Sequence, residues 1–155
     1  MLQVLTNNYS SASTASTQQI TMSTSHQPRK SILVVSASRH LTGVPIEAGI
    51  KTEWAKEKAR HIADHFDNVG FNIDPKDVPN TLKALRHELV GRSWDGVILG
   101  WCIRGHVEFT LLFEEVVAVC CDVKKSAPEM KIMFSTGGDN IVETVARNFP
   151  MDGGV

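Results

Sequence analysis

The stretch WDGVILGWCIRG, Trp94 to Gly105, decides the fold. It opens on the turn Trp94-Asp95-Gly96, runs through the apolar segment Val97-Ile98-Leu99 and changes character at Gly100. A short apolar run between glycines predicts a strand buried on both faces, the kind found in a parallel sheet covered by helices. Residues after such a strand surface at the carboxyl edge of the sheet, where open α/β folds bind their ligands. Cys102, Arg104 and His106 follow within a few residues there, ahead of a helical pattern that starts near Phe109.

Upstream, Ile32-Leu33-Val34-Val35 is a second β-branched run, bounded by Ser31 and Ser36, and reads as another fully buried strand. It leads into the polar loop Ser36-Ala37-Ser38-Arg39-His40-Leu41-Thr42-Gly43. Ala55, Ala59, Ile62, Phe66 and Val69 recur at spacings of four and three, predicting an amphipathic helix that Gly70 terminates. Phe71 to Asp74 alternates apolar with polar, as in a half-exposed strand towards the sheet edge. Pro75 and Pro79 break the chain around Val78, and a helix is expected from an Asn80 N-cap, with Leu82, Leu85 and Leu89 inward and Gly91 as its stop.

Downstream, Phe109, Leu112, Phe113, Val116, Val117, Cys120 and Val123 form the longest apolar stripe, closed by Lys124 and Lys125, whose charges suit a helix C-terminus. Pro128 forbids its continuation. Lys131-Ile132-Met133-Phe134 reads as the last strand, ending at Ser135-Thr136-Gly137-Gly138. Asn140 and Glu143 match a capping box, with Ile141, Val145, Ala146 and Phe149 as the inner face of the final helix. Right-handed crossovers turn this β-α-β-α-β-α-β-α order into a three-layer α/β/α sandwich on a four-stranded parallel sheet, in the flavodoxin-like order 2-1-3-4.

A chain of 155 residues, 42% hydrophobic and 21% charged, is expected to hold one domain, over residues 31–150. Residues 1–30 are rich in Ser, Thr, Gln and Asn, hold no acidic residue, and are predicted to be a disordered tail, with Met22 as an alternative translation start. Residues 151–155 are expected to fray. The net charge of −1 offers no electrostatic case for nucleic acid or an anionic membrane as partner. No apolar run approaches the roughly 20 residues of a membrane span. Cys102, Cys120 and Cys121 are odd in number and form no C-x-x-C pair, which favours free thiols and a cytoplasmic setting.

In the order 2-1-3-4 the loops after the first, third and fourth strands share one rim. They bring Ser36, Ser38, Arg39 and His40 together with Cys102, Arg104, His106 and Glu108, and with Ser135, Thr136, Gly137, Gly138 and Asp139. Hydroxyls, glycine amides and guanidinium groups all donate to oxygen, so an anionic or carbonyl-bearing metabolite is the natural ligand, with Arg104 as the clamp. The competing reading is that Ser, Thr, Gly and Asp are simply what loops and caps are made of. His106 with Glu108 is a candidate general base oriented by a carboxylate, against the reading of a surface histidine beside a helix-dipole glutamate. Cys102 is a candidate nucleophile, against the commoner case of a small buried hydrophobe. His61 and His65 have the spacing of a metal pair on a solvated face with no third ligand, so no metal site is expected. G-x-G-x-x-G, G-x-x-x-x-G-K-[ST] and G-x-S-x-G are all missing, and no cofactor is called for.

Leu99-Gly100-Trp101-Cys102-Ile103-Arg104-Gly105 resembles the L-G-x-x-I-R-G signature of lumazine synthases, with Ile32 to Val35, Val78-Pro79 and Asp139 in matching order. The resemblance implies an α/β sandwich, no cofactor, assembly into pentamers or larger shells, and condensation of a sugar phosphate with a ribityl-aminouracil. The chain departs from that pattern after I-R-G, where Phe109 stands in place of the family's proton-transferring histidine, and after Val78-Pro79, where Asn80 and Thr81 replace glycine and glutamate. The pattern G-x-x-I-R-G-x-x-E-F-T-x-x-F-E is also similar to that of small microbial proteins of unassigned function. Two functional expectations follow. One is a cofactor-free metabolite-binding protein or accessory enzyme; the other is a non-catalytic, receiver-like or homo-oligomer-forming module that uses Trp101 and the Phe109 to Val123 helix.

Overall fold

The computed structural model describes residues 28–151. Four parallel strands, β1 (Lys30–Ser36), β2 (Phe66–Asn72), β3 (Gly96–Leu99) and β4 (Lys131–Phe134), form one sheet in the order β2-β1-β3-β4. Around it lie α1 (Ser38–Thr42), α2 (Ile46–Trp54), α3 (Val78–Gly91), the single turn α4 (Trp101–Arg104), α5 (Thr110–Lys124) and α6 (Ile141–Asn148). The α/β sandwich and its strand order are those the sequence predicts.

The two central strands explain the layering. Ile32 to Val35 and Val97 to Leu99 are fully buried, and successive side chains alternate between faces. Leu33, Val35, Val97 and Leu99 pack with Leu85 and Leu89 of α3 and Leu112, Val116 and Cys120 of α5. Ile32, Val34 and Ile98 pack on the other side with Ile50 of α2 and Ile141, Val142 and Val145 of α6. The turn before β3 fixes the lower end of the sheet. Asp95 accepts the Ser31 N–H at 2.8 Å through its carboxylate and the Lys131 N–H at 3.0 Å through its carbonyl, which staples β1 and β4 to β3.

The structure corrects the segment between β1 and β2. No helix spans Ala55 to Val69; the helix is α2, nine residues earlier in its start, followed by single 3-10 turns at Glu57–Ala59 and Ala63–His65. Of the five positions read as inward, Ala59, Ile62 and Phe66 are buried, Val69 is half-buried and Ala55 is exposed. Two tight turns and a strand start satisfy the same spacing that a helix does. β2 accordingly begins at Phe66, and Gly70 lies inside it instead of ending a helix. A Cβ on Gly70 would stand 2.7 Å from Ile46 Cγ2, so glycine there permits the close approach of α2. Asn72 completes the seam, accepting the Ile46 N–H at 2.9 Å and donating to both oxygens of Glu47.

Several caps differ as well. Asp77, not Asn80, caps α3, accepting the Asn80 N–H at 3.4 Å, and Pro79 falls in the first turn, where a missing N–H costs nothing. Gly91 is the last residue of α3, followed by an extended Arg92. The Asn140–Glu143 capping box does not form: Glu143 turns to Lys58 at 2.7 Å, and Asn140 reaches backwards to the β4–α6 loop. Residues 1–27 of the predicted tail and residues 152–155 lie outside the described residues. Arg29 and Lys30 belong to the folded domain, because Arg29 donates to Phe66 O at 2.6 Å and pairs with Asp67 at 3.0 Å.

Candidate functional site

Where the strand order reverses, between β1 and β3, the sheet's carboxyl edge carries a cavity of about 140 Å³. A void of this size accommodates a single six-membered ring. Val34 and Ile98 form its floor, Ile46 and Gly49 of α2 one wall, and Ile141 of α6 the opposite wall. The β3–α4 turn (Gly100, Trp101, Cys102) and the β4–α6 loop (Ser135, Gly137, Gly138) close the remaining sides. Gly100 is required at this turn: its N–H donates to Val35 O at 2.8 Å, and a Cβ would come equally near that oxygen.

Three serines and Thr42 supply the side-chain hydroxyls of this largely apolar chamber, and Thr42 already donates its own to Ser38 O at 2.9 Å. Ser36, 1% exposed, accepts the Ser38 N–H at 3.1 Å. Ser135, 2% exposed, accepts the Trp101 N–H at 2.7 Å, which ties the third and fourth loops together. Each thereby spends a lone pair on a fixed backbone donor and keeps its hydroxyl hydrogen for another partner. Ser38 Oγ is buried and has no hydrogen-bond partner among the described residues. An unpaired buried hydroxyl costs about 1–3 kcal/mol, so this group is the anomaly of the site.

Of the candidates named from sequence, Ser36, Ser38, Cys102, Ser135, Gly137 and Gly138 line the cavity together. Arg104 does not. Its guanidinium donates to Ser135 O at 2.8 Å and lies 5.1 Å from the Trp101 ring centroid, so it braces the wall from outside. Thr136 and Gly137 donate their N–H groups to Asn140 Oδ1 at 3.2 and 3.3 Å, which occupies two of the amides expected to receive an anion. Cys102 stands on the rim and packs towards the α3–α5 core. Among the lining side chains its thiol is the one ionisable group. Burial pushes the other core thiol, Cys120, up to about 12, so that residue is inert at neutral pH.

Arg39 and His40 line a different groove, with Asn72, Asp74 and Lys76. His106 and Glu108 do meet, at 3.3 Å, because the 3-10 turn Val107–Phe109 folds the two side chains to one side. The Glu108 carboxyl is held below the ordinary glutamate range by its own backbone N–H and then by His106. Both lie outside the cavity, and the Phe109 ring packs between His106, at 5.7 Å, and His40, at 5.9 Å.

Sequence reasoning missed Thr42, Val44, Pro45, Ile46, Gly49 and Ile141 as lining residues. Most of these sit on or before α2, whose nine residues carry the buried polar Glu53 on the inner face and so show no clean apolar stripe. Glu53, 3% exposed, pairs with Lys56 and lies 3.1 Å from Lys58 through its second oxygen, an ion contact without hydrogen-bond alignment. Lys58 also pairs with Glu143 and donates to Asp139 O at 3.0 Å, so it ties α2 to the start of α6 across the flank of the cavity. His61 and His65 are exposed, and no group of three or more metal-ligating side chains occurs among the described residues. No helix among them is long and apolar enough to cross a membrane. No family model, curated protein or solved structure matches this chain.

Proposed function

We propose that the protein binds a small metabolite with a compact apolar body and an acceptor oxygen, the carbonyl-bearing of the two ligand classes that the sequence suggests. The observation that carries this reading is Ser38 Oγ, buried and unpaired beside a cavity where the Ser36 and Ser135 hydroxyls also retain a hydrogen to donate. A ligand oxygen beside these serines accepts from them, while the ring or chain behind it lies against Ile46 and Trp101. The anionic class has less support, because no cation lines the cavity and the Thr136 and Gly137 amides already have an acceptor. Likeness of Leu99 to Gly105 to lumazine synthase supports the same location, since that segment supplies Gly100, Trp101 and Cys102 to the wall. The function is binding, with His106 and Glu108 outside the chamber. The three free thiols support a reducing, cytoplasmic setting.

Differential scanning fluorimetry with a panel of small lactams, cyclic ketones and imides, against phosphate and acetate, tests this reading. A ligand at about one hundred times its Kd stabilises by about 2.7 kcal/mol. Stabilisation by carbonyl compounds alone supports the proposal, and stabilisation by phosphate alone would restore the anion-clamp reading of Arg104. A second reading, a self-associating module, rests on Val107 and Leu111, four residues apart and 87% and 76% exposed, near the 40% exposed Trp101. Concentration-dependent sedimentation that Leu111→Glu abolishes is its expected signature.

A further inference from the structure

The chamber between β1 and β3 is not sealed: Thr42, Val44, Trp101 and Gly138 of its lining are exposed and mark its mouth. Its volume of about 140 Å³ takes one ring, so a larger ligand leaves through that mouth. Seven large hydrophobic side chains are exposed among the described residues, and two of them, Val44 at 51% and Trp101 at 40%, line this cavity. Neither joins the two core clusters, so packing of the fold does not account for them. Single exposed apolar residues are ordinary on a protein surface. Two on separate loops at the mouth of one apolar chamber are placed to cover whatever emerges from it.

Local structure holds both side chains in place. Gly43 takes the left-handed conformation, φ 77°, and its N–H donates to Arg39 O at 3.0 Å. The Val44 N–H donates to Thr42 Oγ1 at 3.2 Å and Pro45 leads directly into α2, so the turn is pinned on both sides of Val44, whose β-branched side chain has few rotamers to lose. Trp101 is fixed by its N–H on Ser135 Oγ at 2.7 Å and by its indole lying on Gly105, where a Cβ would clash with the ring. Contact made on a preordered surface loses little conformational entropy. Polar groups offer an emerging ligand less, since Thr42 donates its hydroxyl to Ser38 O and no charged side chain lines the cavity. We infer that the ligand has two parts, a carbonyl-bearing ring inside the chamber and an apolar extension, alkyl or aryl, that passes out over Val44 and Trp101. This rests on the chamber holding the carbonyl end, and makes Val44 and Trp101 the residues that select among carbonyl compounds by their substituent.

The test is isothermal titration of the full chain with cyclopentanone and its hexyl derivatives. The ring has two distinct positions for a substituent, so 2-hexyl- and 3-hexylcyclopentanone cover both exits. A methylene laid on apolar surface tightens binding about two- to fourfold, so the better hexyl isomer is expected to bind at least about tenfold more tightly than cyclopentanone. It should also shift the tryptophan emission to shorter wavelength, a change lost in Trp101→Phe, whereas cyclopentanone should shift it less. Phenyl derivatives that bind more tightly than hexyl ones identify an aryl extension, and the reverse order identifies an alkyl one. Trp101→Ala and Val44→Ser should each shrink the ratio of hexyl to parent affinity by about threefold or more; if Trp101→Ala fails to fold, Val44→Ser, at an exposed turn position, decides. Cyclopentanone binding with no gain from either hexyl isomer overturns the inference and leaves the chamber reading intact. A gain that both substitutions leave unchanged overturns it as well, because the extension then lies elsewhere. Failure of every ketone to bind overturns the chamber reading and this inference with it.

Discussion

Replacing Ser38 by alanine should move stability and binding in opposite directions. In the unliganded protein Ser38 Oγ is buried without a partner, while the Ser38 N–H keeps its bond to Ser36 Oγ at 3.1 Å whatever the side chain. Removing the hydroxyl therefore relieves a desolvation cost and breaks no hydrogen bond of the side chain. The full cost of such a group is about 1–3 kcal/mol, and the residue is only half-buried, so about 1 kcal/mol is the appropriate expectation. For a domain of this size that raises Tm by roughly 3–5 °C. With a carbonyl ligand bound, the same change removes one donor, worth about 0.5–1.5 kcal/mol, and weakens binding roughly three- to tenfold. Thermal unfolding with and without ligand, paired with isothermal titration, measures both halves. A Tm that falls on substitution, or an affinity that does not change, would refute the reasoning, because the hydroxyl would then be satisfied within the protein or turned away from the ligand.

Gly49 sits in the interior of α2, its Cβ position 3.7 Å from Ile46 Cδ1 and facing the cavity, so Gly49→Ala is expected to stabilise by about 0.5–1 kcal/mol through helix propensity while narrowing the chamber. Urea denaturation showing a loss of stability would mean that the wall is closed to a methyl group. Acid sensitivity should come partly from Glu47 and Glu143, whose carboxyls are held below the ordinary glutamate value of 4.5, Glu47 chiefly by the Asn72 amide and Glu143 chiefly by the Lys58 ammonium. A depressed folded pKa gives stability that is complete above the unfolded value and is lost as pH falls through the folded one. The urea midpoint should therefore drop between about pH 5 and about pH 3, and Glu47→Gln should flatten that slope; an unchanged slope would show that the Asn72 contact contributes nothing.

Three strands of the sheet were legible because their evidence is local, whereas the second, expected at Phe71 to Asp74, runs from Phe66 to Asn72. Ile32 to Val35 and Val97 to Leu99 are too apolar and too β-branched to lie anywhere but between two helical layers, and right-handed crossovers leave few strand orders for four such units. The meeting of the loops at Ser36, Cys102 and Ser135 followed from that order alone. Tertiary structure decided the rest. Whether Ala59, Ile62 and Phe66 belong to a helix or to two turns and a strand depends on where α2 touches Gly70, a contact between residues more than twenty positions apart that no local spacing encodes. Arg104 reads as a ligand clamp from its position after a buried strand, yet its partner is a backbone carbonyl on another loop, and carbonyls leave no mark in sequence. The unpaired hydroxyl of Ser38 is equally invisible there, because a side chain's lack of a partner is a property of packing in three dimensions.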